Sequence, residues 1–207
     1  MPTLRLSDFI ADWPASPFAA GDPDPWQVTV RAPELIENAL DSLGPEYERE
    51  GALAIHRSAV VEPGAVLKPP LIVGPGSFVA AGAYLRGGVA LLEACTVGPG
   101  AEVKSSLLFR GVHLAHFNFV GDSILGADVN LEAGAIIANF RNEAPGRPQT
   151  IVWRGAVIDT GAAKFGALVG DGVRIGANAV IAPGALLDPG AIVPRLALVD
   201  QSPRAGG

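Results

Sequence analysis

Three features of this 207-residue sequence predict an all-β chain wound as a left-handed parallel β-helix. Aliphatic residues recur at every sixth position over most of its length, and small residues follow them. Gly (26) and Pro (18) are abundant while aromatics make up only 6%. Stepping by six from Ile55 lands on Val61, Leu67, Val73, Val79, Leu85, Leu91, Val97, Val103 and Phe109. The phase slips, resumes at Phe119, Leu125, Leu131 and Ile137, breaks again, and returns at Val169, Ile175, Ile181, Leu187 and Val193. Such a period suits neither an α-helix nor an alternating strand, but it suits a flat strand followed by a tight corner, repeated. Three sides close one coil, with the anchors pointing inward. Runs such as Val97-Gly98-Pro99-Gly100 and Val169-Gly170-Asp171-Gly172 supply the backbone freedom that corners require. A β-sandwich would space its strands at about 8–12 residues instead.

Residues 1–52 lack the period and are read as a helical appendage. Within them the segment from Ala32 to Leu43 places apolar residues at 35, 36, 39, 40 and 43, one helical face, and Gly44-Pro45 stops it. Such a helix is expected to cap the exposed first coil. The β-helix is assigned to 53–200, with an inserted loop at 140–163 and a tail at 201–207. A long excursion from a compact solenoid is expected to be functional.

Hydrophobic residues at 49% and charged residues at 17% exclude disorder. The absence of a ~20-residue uncharged apolar run excludes a membrane-spanning helix. The net charge of −6 gives no broad footprint for nucleic acid or an anionic membrane, so an anionic substrate needs a local basic pocket. The single cysteine, Cys95, excludes an intramolecular disulfide framework and reads as a small core residue. The opening MPTLRLSDFIADWPASPF carries acids and prolines where a signal peptide needs an apolar stretch, which makes cytoplasm the expected location.

The histidines are His56, His113 and His116, separated by gaps of 57 and three residues. That spacing differs from the metal-ligand pattern of the γ-class carbonic anhydrases, zinc hydratases of the same fold, so no metal is expected. The stretch from His113 to Phe140, which runs His116-Phe117-Asn118-Phe119-Val120-Gly121-Asp122, then Gly126-Ala127-Asp128-Val129-Asn130-Leu131-Glu132-Ala133-Gly134, then Asn139-Phe140, resembles one family. It is similar to the acetyltransferase half of the bifunctional enzymes that make UDP-N-acetylglucosamine, and more closely to archaeal-type sugar-1-phosphate nucleotidylyltransferases whose β-helix acetylates glucosamine-1-phosphate or galactosamine-1-phosphate.

The resemblance implies roles position by position. His116 is the base that deprotonates the attacking amine, a step that suits a side chain titrating near neutrality and is typically worth ~10²–10⁴ in rate. Asn130 holds the amino sugar. Asn139 contacts the coenzyme A arm or the reacting acetyl group, and Ala133 and Phe140 line the thioester channel. Attack on a thioester also needs a donor for the developing oxyanion, which Asn139 or the Ala133 corner would supply. Arg86, at the start of Arg86-Gly87-Gly88-Val89-Ala90-Leu91, and Lys104, eighteen residues or one coil later, stack on one edge to clamp a phosphate. Lys164, at the start of Lys164-Phe165-Gly166, completes the basic pocket. Asn130 and Asn139 also suit corners in their own right.

Three departures from the family's pattern stand out. Phe119 occupies the position of a tyrosine, and the inserted loop carries Arg141, Arg147 and Arg154. The nucleotidylyltransferase domain, with its Gly-x-Gly-Thr-Arg motif, does not occur in the sequence. The expectation is an acetyl-CoA-dependent N-acetyltransferase of an amino sugar-1-phosphate or nucleotide amino sugar. It is expected to need no metal and to form a homotrimer with sites shared between subunits. The alternative is a non-catalytic sugar-phosphate-binding β-helix that partners a separate nucleotidylyltransferase.

Overall fold

The computed structural model describes residues 4–19, 21 and 23–203, so most of the tail expected at 201–207 lies outside the described residues. The chain forms a three-sided parallel β-helix. On the first face, segments at 53–56, 71–73, 89–91, 106–108, 124–125, 167–169 and 185–187 stack in parallel. The second face is a seven-stranded sheet of segments at 60–61, 78–79, 96–97, 113–114, 130–131, 174–175 and 192–193. The third runs through 66–67, 84–86, 102–104, 119–121, 136–137, 180–181 and 198–199. The anchors Val79, Leu85, Leu91, Val97, Leu125, Leu131 and Ile137 are fully buried inside the prism, and Cys95 lies among them.

Two of the expected anchors point elsewhere. Inward positions after Val103 are Leu108 and Val120, whereas Phe109 faces out against Trp13, at 6.1 Å between ring centroids, and Phe119 is half-buried on the outside. The cause is local. Lys104 still pairs with Arg86, but a bulge between Arg86 and Val89 puts Ser106 opposite Val89. One residue is absorbed there, and the next coil pairs Phe119 with Glu102, 17 residues apart. The following coil is equally short, pairing His113 with Asn130 and Phe119 with Ile136, again 17 residues apart, and the slip in the sequence is the sum of these two shortened coils.

The corners carry left-handed backbone. Between the second and third faces, Gly64, Gly82, Gly100, Phe117, Gly134, Asn178 and Leu196 form a column with φ from 52° to 97°. Phe117 and Leu196 take this conformation without the freedom of glycine, and both are exposed.

The described residues between 4 and 43 do not sit over the end of the prism. Helices α1 (Pro25–Val30) and α2 (Ala32–Leu40) lie with the preceding segment along the first face. The outward residues of that face, Ala54, Ile72, Ala90, Leu107, Ile124, Leu168 and Leu186, are all apolar and buried. Leu6, Phe9, Ile10, Trp13, Phe18, Trp26 and Ile36 cover them, and each large side chain so buried contributes roughly 1.5–3 kcal/mol. Asp171 pins the segment: its carboxylate accepts from the N–H of Ala11 (2.9 Å) and of Ala127 (2.7 Å), and its own N–H donates to the Phe9 carbonyl (2.9 Å). The edge of the first coil is covered instead by β1 (Tyr47–Glu50), antiparallel to β2 (Leu53–His56).

The excursion at 140–163 contains an antiparallel hairpin, Thr150–Trp153 with Ala156–Asp159. Ile151 and Trp153 bury themselves in the same outer cluster as the N-terminal segment. Arg141 anchors the loop's start by donating to Asp200 and to the Pro183 carbonyl, at 2.8 and 2.9 Å. Arg154 stacks on Trp153, 4.5 Å from its ring centre. No helix among the described residues is long and apolar enough to cross a membrane.

Candidate active site

A cleft at the corner between the third and first faces is lined by Arg86, Lys104, Phe119, Asn139, Phe140 and Lys164. All six come from the set singled out in the sequence, and the fold gathers them from five separate stretches of chain. Arg86 and Lys104 are direct register partners on adjacent coils, as the one-coil spacing requires. Each already has a carboxylate. Arg86 donates to Glu102 at 2.6 and 2.8 Å, and the Lys104 ammonium lies 2.8 Å from both oxygens of Asp122. Asn139 Nδ2 donates to the same Asp122 carboxylate. Lys164 stands 5.9 Å from the centre of the Phe140 ring, and no carboxylate among the described residues forms an ion pair with it. Three cations against two carboxylates leave the cleft one positive charge in excess, seated on the exposed Lys164.

The other sequence candidates lie away from this cleft, His116 and Ala133 at the corner between the second and third faces and Asn130 on the second face. His116 is exposed on the turn from the second face to the third. One coil on, Ala133 lies in the equivalent turn, and Gly134 N–H donates to the His116 carbonyl at 2.8 Å. Asn130 stacks between His113 and Arg174 on the second face and lines a separate groove with Glu132, Arg174 and Arg195. In that groove Arg195 holds Glu132 through two bonds of 2.6 and 2.7 Å, which keeps the carboxyl below its ordinary range. His116 and the phosphate-side cations lie towards opposite edges of the third face: Lys104 is in register with Gly121, five residues beyond His116, and Phe119 lies between them. Within one chain the imidazole and the phosphate-side cations are not in contact.

Sequence reading missed Asp122 and Glu102, the two carboxylates that organise the cleft. Asp122 follows Lys104 by 18 residues, the same coil interval that linked Arg86 to Lys104, so the signal was present. Among the described residues no three His, Cys, Asp or Glu side chains cluster to hold a metal.

Fold and cleft together define a hexapeptide-repeat β-helix protein with a basic cleft at one edge of the prism and an exposed imidazole at another. No family model matches the chain. Its sequence is 36% identical over 144 residues to the bifunctional sugar-1-phosphate nucleotidylyltransferase/acetyltransferase of Sulfurisphaera tokodaii, a match covering 70% of this chain and 35% of that one. The bifunctional protein GlmU of Methanococcus maripaludis is 37% identical over 156 residues, 73% of this chain and 37% of its own length. The chain thus spans about a third of the length of these curated relatives. Among solved structures, the acetyltransferase domain of PglB from Neisseria gonorrhoeae in complex with acetyl coenzyme A matches at 20% identity and a TM-score of 0.45, covering 82% of this chain and 65% of that one.

Proposed function

We propose that the chain is an acyltransferase that moves acetyl from acetyl-CoA to the amine of an amino sugar-1-phosphate or nucleotide amino sugar. The observation that carries this reading is the cleft itself, where Arg86, Lys104, Lys164, Asn139, Phe119 and Phe140 converge. The relatives' names, which pair sugar-1-phosphate with acetyl transfer, supply the chemical class. The cations receive the phosphate, and Lys164, unpaired, is the first to meet it. The neutral amine attacks the thioester carbonyl carbon as its N–H proton passes to His116. The C–S bond breaks, and the departing thiolate takes that proton back from the imidazolium. Ala133 and Phe140 flank the thioester arm.

This reading requires His116 and the cleft to come from different copies of the chain. A trimer with sites between subunits meets the requirement. Beside His116 the apolar Phe117 is 73% exposed, and three coils further along the same edge of the prism Ile192, Leu196 and Leu198 are exposed as well, apolar surface suited to a neighbouring copy. The corresponding location is the cytoplasm, where acetyl-CoA is made available.

The test is free-thiol release from acetyl-CoA in the presence of glucosamine-1-phosphate or galactosamine-1-phosphate. Replacing His116 with Ala should lower turnover about a hundredfold. A second reading, a non-catalytic sugar-phosphate-binding module for a separate nucleotidylyltransferase, is favoured by Phe119 in the tyrosine position. Sugar-phosphate binding with no thiol release at high protein concentration selects it.

A further inference from the structure

We infer that Asp122 is a positioning residue that sets the working arrangement of Lys104 and Asn139; the inference rests on the acetyltransferase reading and deepens it. Asp122 sits at the turn from the third face to the first, in the left-handed conformation at φ 45°, and is 6% exposed. Its backbone is held on both sides, the N–H donating to the Lys104 carbonyl and the carbonyl accepting from Gly166 N–H, each at 2.8 Å. From this held backbone the side chain extends between Lys104 Nζ and Asn139 Nδ2 and bonds both.

Two consequences follow from the chemistry of a carboxylate. An ionised carboxylate only accepts hydrogen bonds, so the end of the Asn139 amide that faces it must be the NH₂. That orientation commits one amide N–H and leaves Oδ1 free to face a ligand. Asn139 is thus presented mainly as an acceptor, suited to an N–H of the substrate amine or of the pantetheine amide, and the oxyanion falls to backbone donors. Asp122 also restrains Lys104, whose ammonium would otherwise follow a phosphate wherever it docked. Gln149 of the inserted loop reinforces the arrangement by donating to the Asn139 carbonyl at 2.9 Å.

The variant Asp122→Asn isolates the charge, since Asn tolerates left-handed backbone as well as Asp does. The expected result is a kcat lower by about 10–100-fold, because reacting groups held loosely lose their alignment. KM for glucosamine-1-phosphate should stay within about threefold of wild type. In a Lys104→Met background the same substitution should cost little more, the signature of a residue acting through its neighbour. Equal losses in both backgrounds, or a raised KM at unchanged kcat, overturn the inference. A measurement independent of turnover, and needing no variant, is amine labelling of the wild-type protein followed by mass spectrometry. Lys104, whose side chain is 17% exposed and bonded to both oxygens of Asp122, should label about tenfold more slowly than the exposed Lys164 because the reagent reaches it less often, and equal rates overturn the assignment. A wild-type protein that releases no thiol defeats the acetyltransferase reading while leaving the labelling result to decide Asp122.

Discussion

Gly98 gives the sharpest structural test of how the coil bearing His116 is held. It closes the second face at Val97-Gly98-Pro99 with an ordinary backbone, and its N–H donates to the Leu114 carbonyl at 2.9 Å. A Cβ placed on it would land on the carbonyl oxygen of Ala115 and within 2.9 Å of that of Leu114. Neither is the yielding end of a side chain, so Gly98→Ala must push the backbone of the next coil outward at the residue before His116. Overpacking strain of about 1–3 kcal/mol, added to a weakened hydrogen bond of about 1 kcal/mol, gives a loss of about 2–4 kcal/mol. The control is Gly172→Ala, where φ is 69° but nothing lies within 4 Å of the added atom; there only backbone strain applies, about 1–2 kcal/mol. Urea unfolding of both variants, with unchanged m-values, supplies the comparison. A Gly98→Ala loss no larger than that of Gly172→Ala would refute the claim that close approach of adjacent coils governs this corner. The variant should also lose turnover beyond its loss of stability, because His116 shifts with Ala115.

Three further outcomes are expected. Trp13→Ala, removing a side chain 2% exposed between Phe109 and the first face, should cost about 3–5 kcal/mol in chemical denaturation. Burial pushes the Cys95 thiol up to about 12, so native protein should resist alkylation at pH 8 and react only on unfolding, as timed thiol labelling would show. The hydrogen bond from Arg141 holds the Asp200 carboxyl down at about 2, against 3.8 ordinarily. Its contribution is therefore present above pH 4 and lost as the pH falls towards 2. For a partly exposed pair it amounts to about 1 kcal/mol after solvent screening, and Asp200→Asn should remove this component from an acid titration of stability.

The six-residue period made the prism legible because each inward side chain is enclosed on all sides and must be apolar. The bulge between Arg86 and Val89 was visible only as a slip, since two glycines hide where a residue is absorbed. The covering of the first face was also written in the sequence. Leu71-Ile72-Val73, Ala167-Leu168-Val169 and Ala185-Leu186-Leu187 are apolar at consecutive positions, the mark of strands buried on both sides, whereas His113-Leu114 and Asn130-Leu131 on the second face are apolar on one side only. The helix was placed over an end because amphipathicity tells that a face is buried without telling against what. The cleft cations were found by coil spacing. The carboxylates Glu102 and Asp122 were not legible because a basic pocket for an anion is marked in sequence by its cations, whereas the groups that hold those cations in place carry the opposite charge.

The bond between Ala11 and Asp171 spans 160 residues. At a synthesis rate of about 5–20 residues per second, roughly 8–32 s pass between the making of the two partners. Throughout that interval Phe9, Ile10 and Trp13 have no completed surface to rest on, and each new coil extends the groove they will fill without closing it. Growth of the prism is local and sequential, but this segment waits on a distant contact. It is made before every coil it covers and settles after most of them.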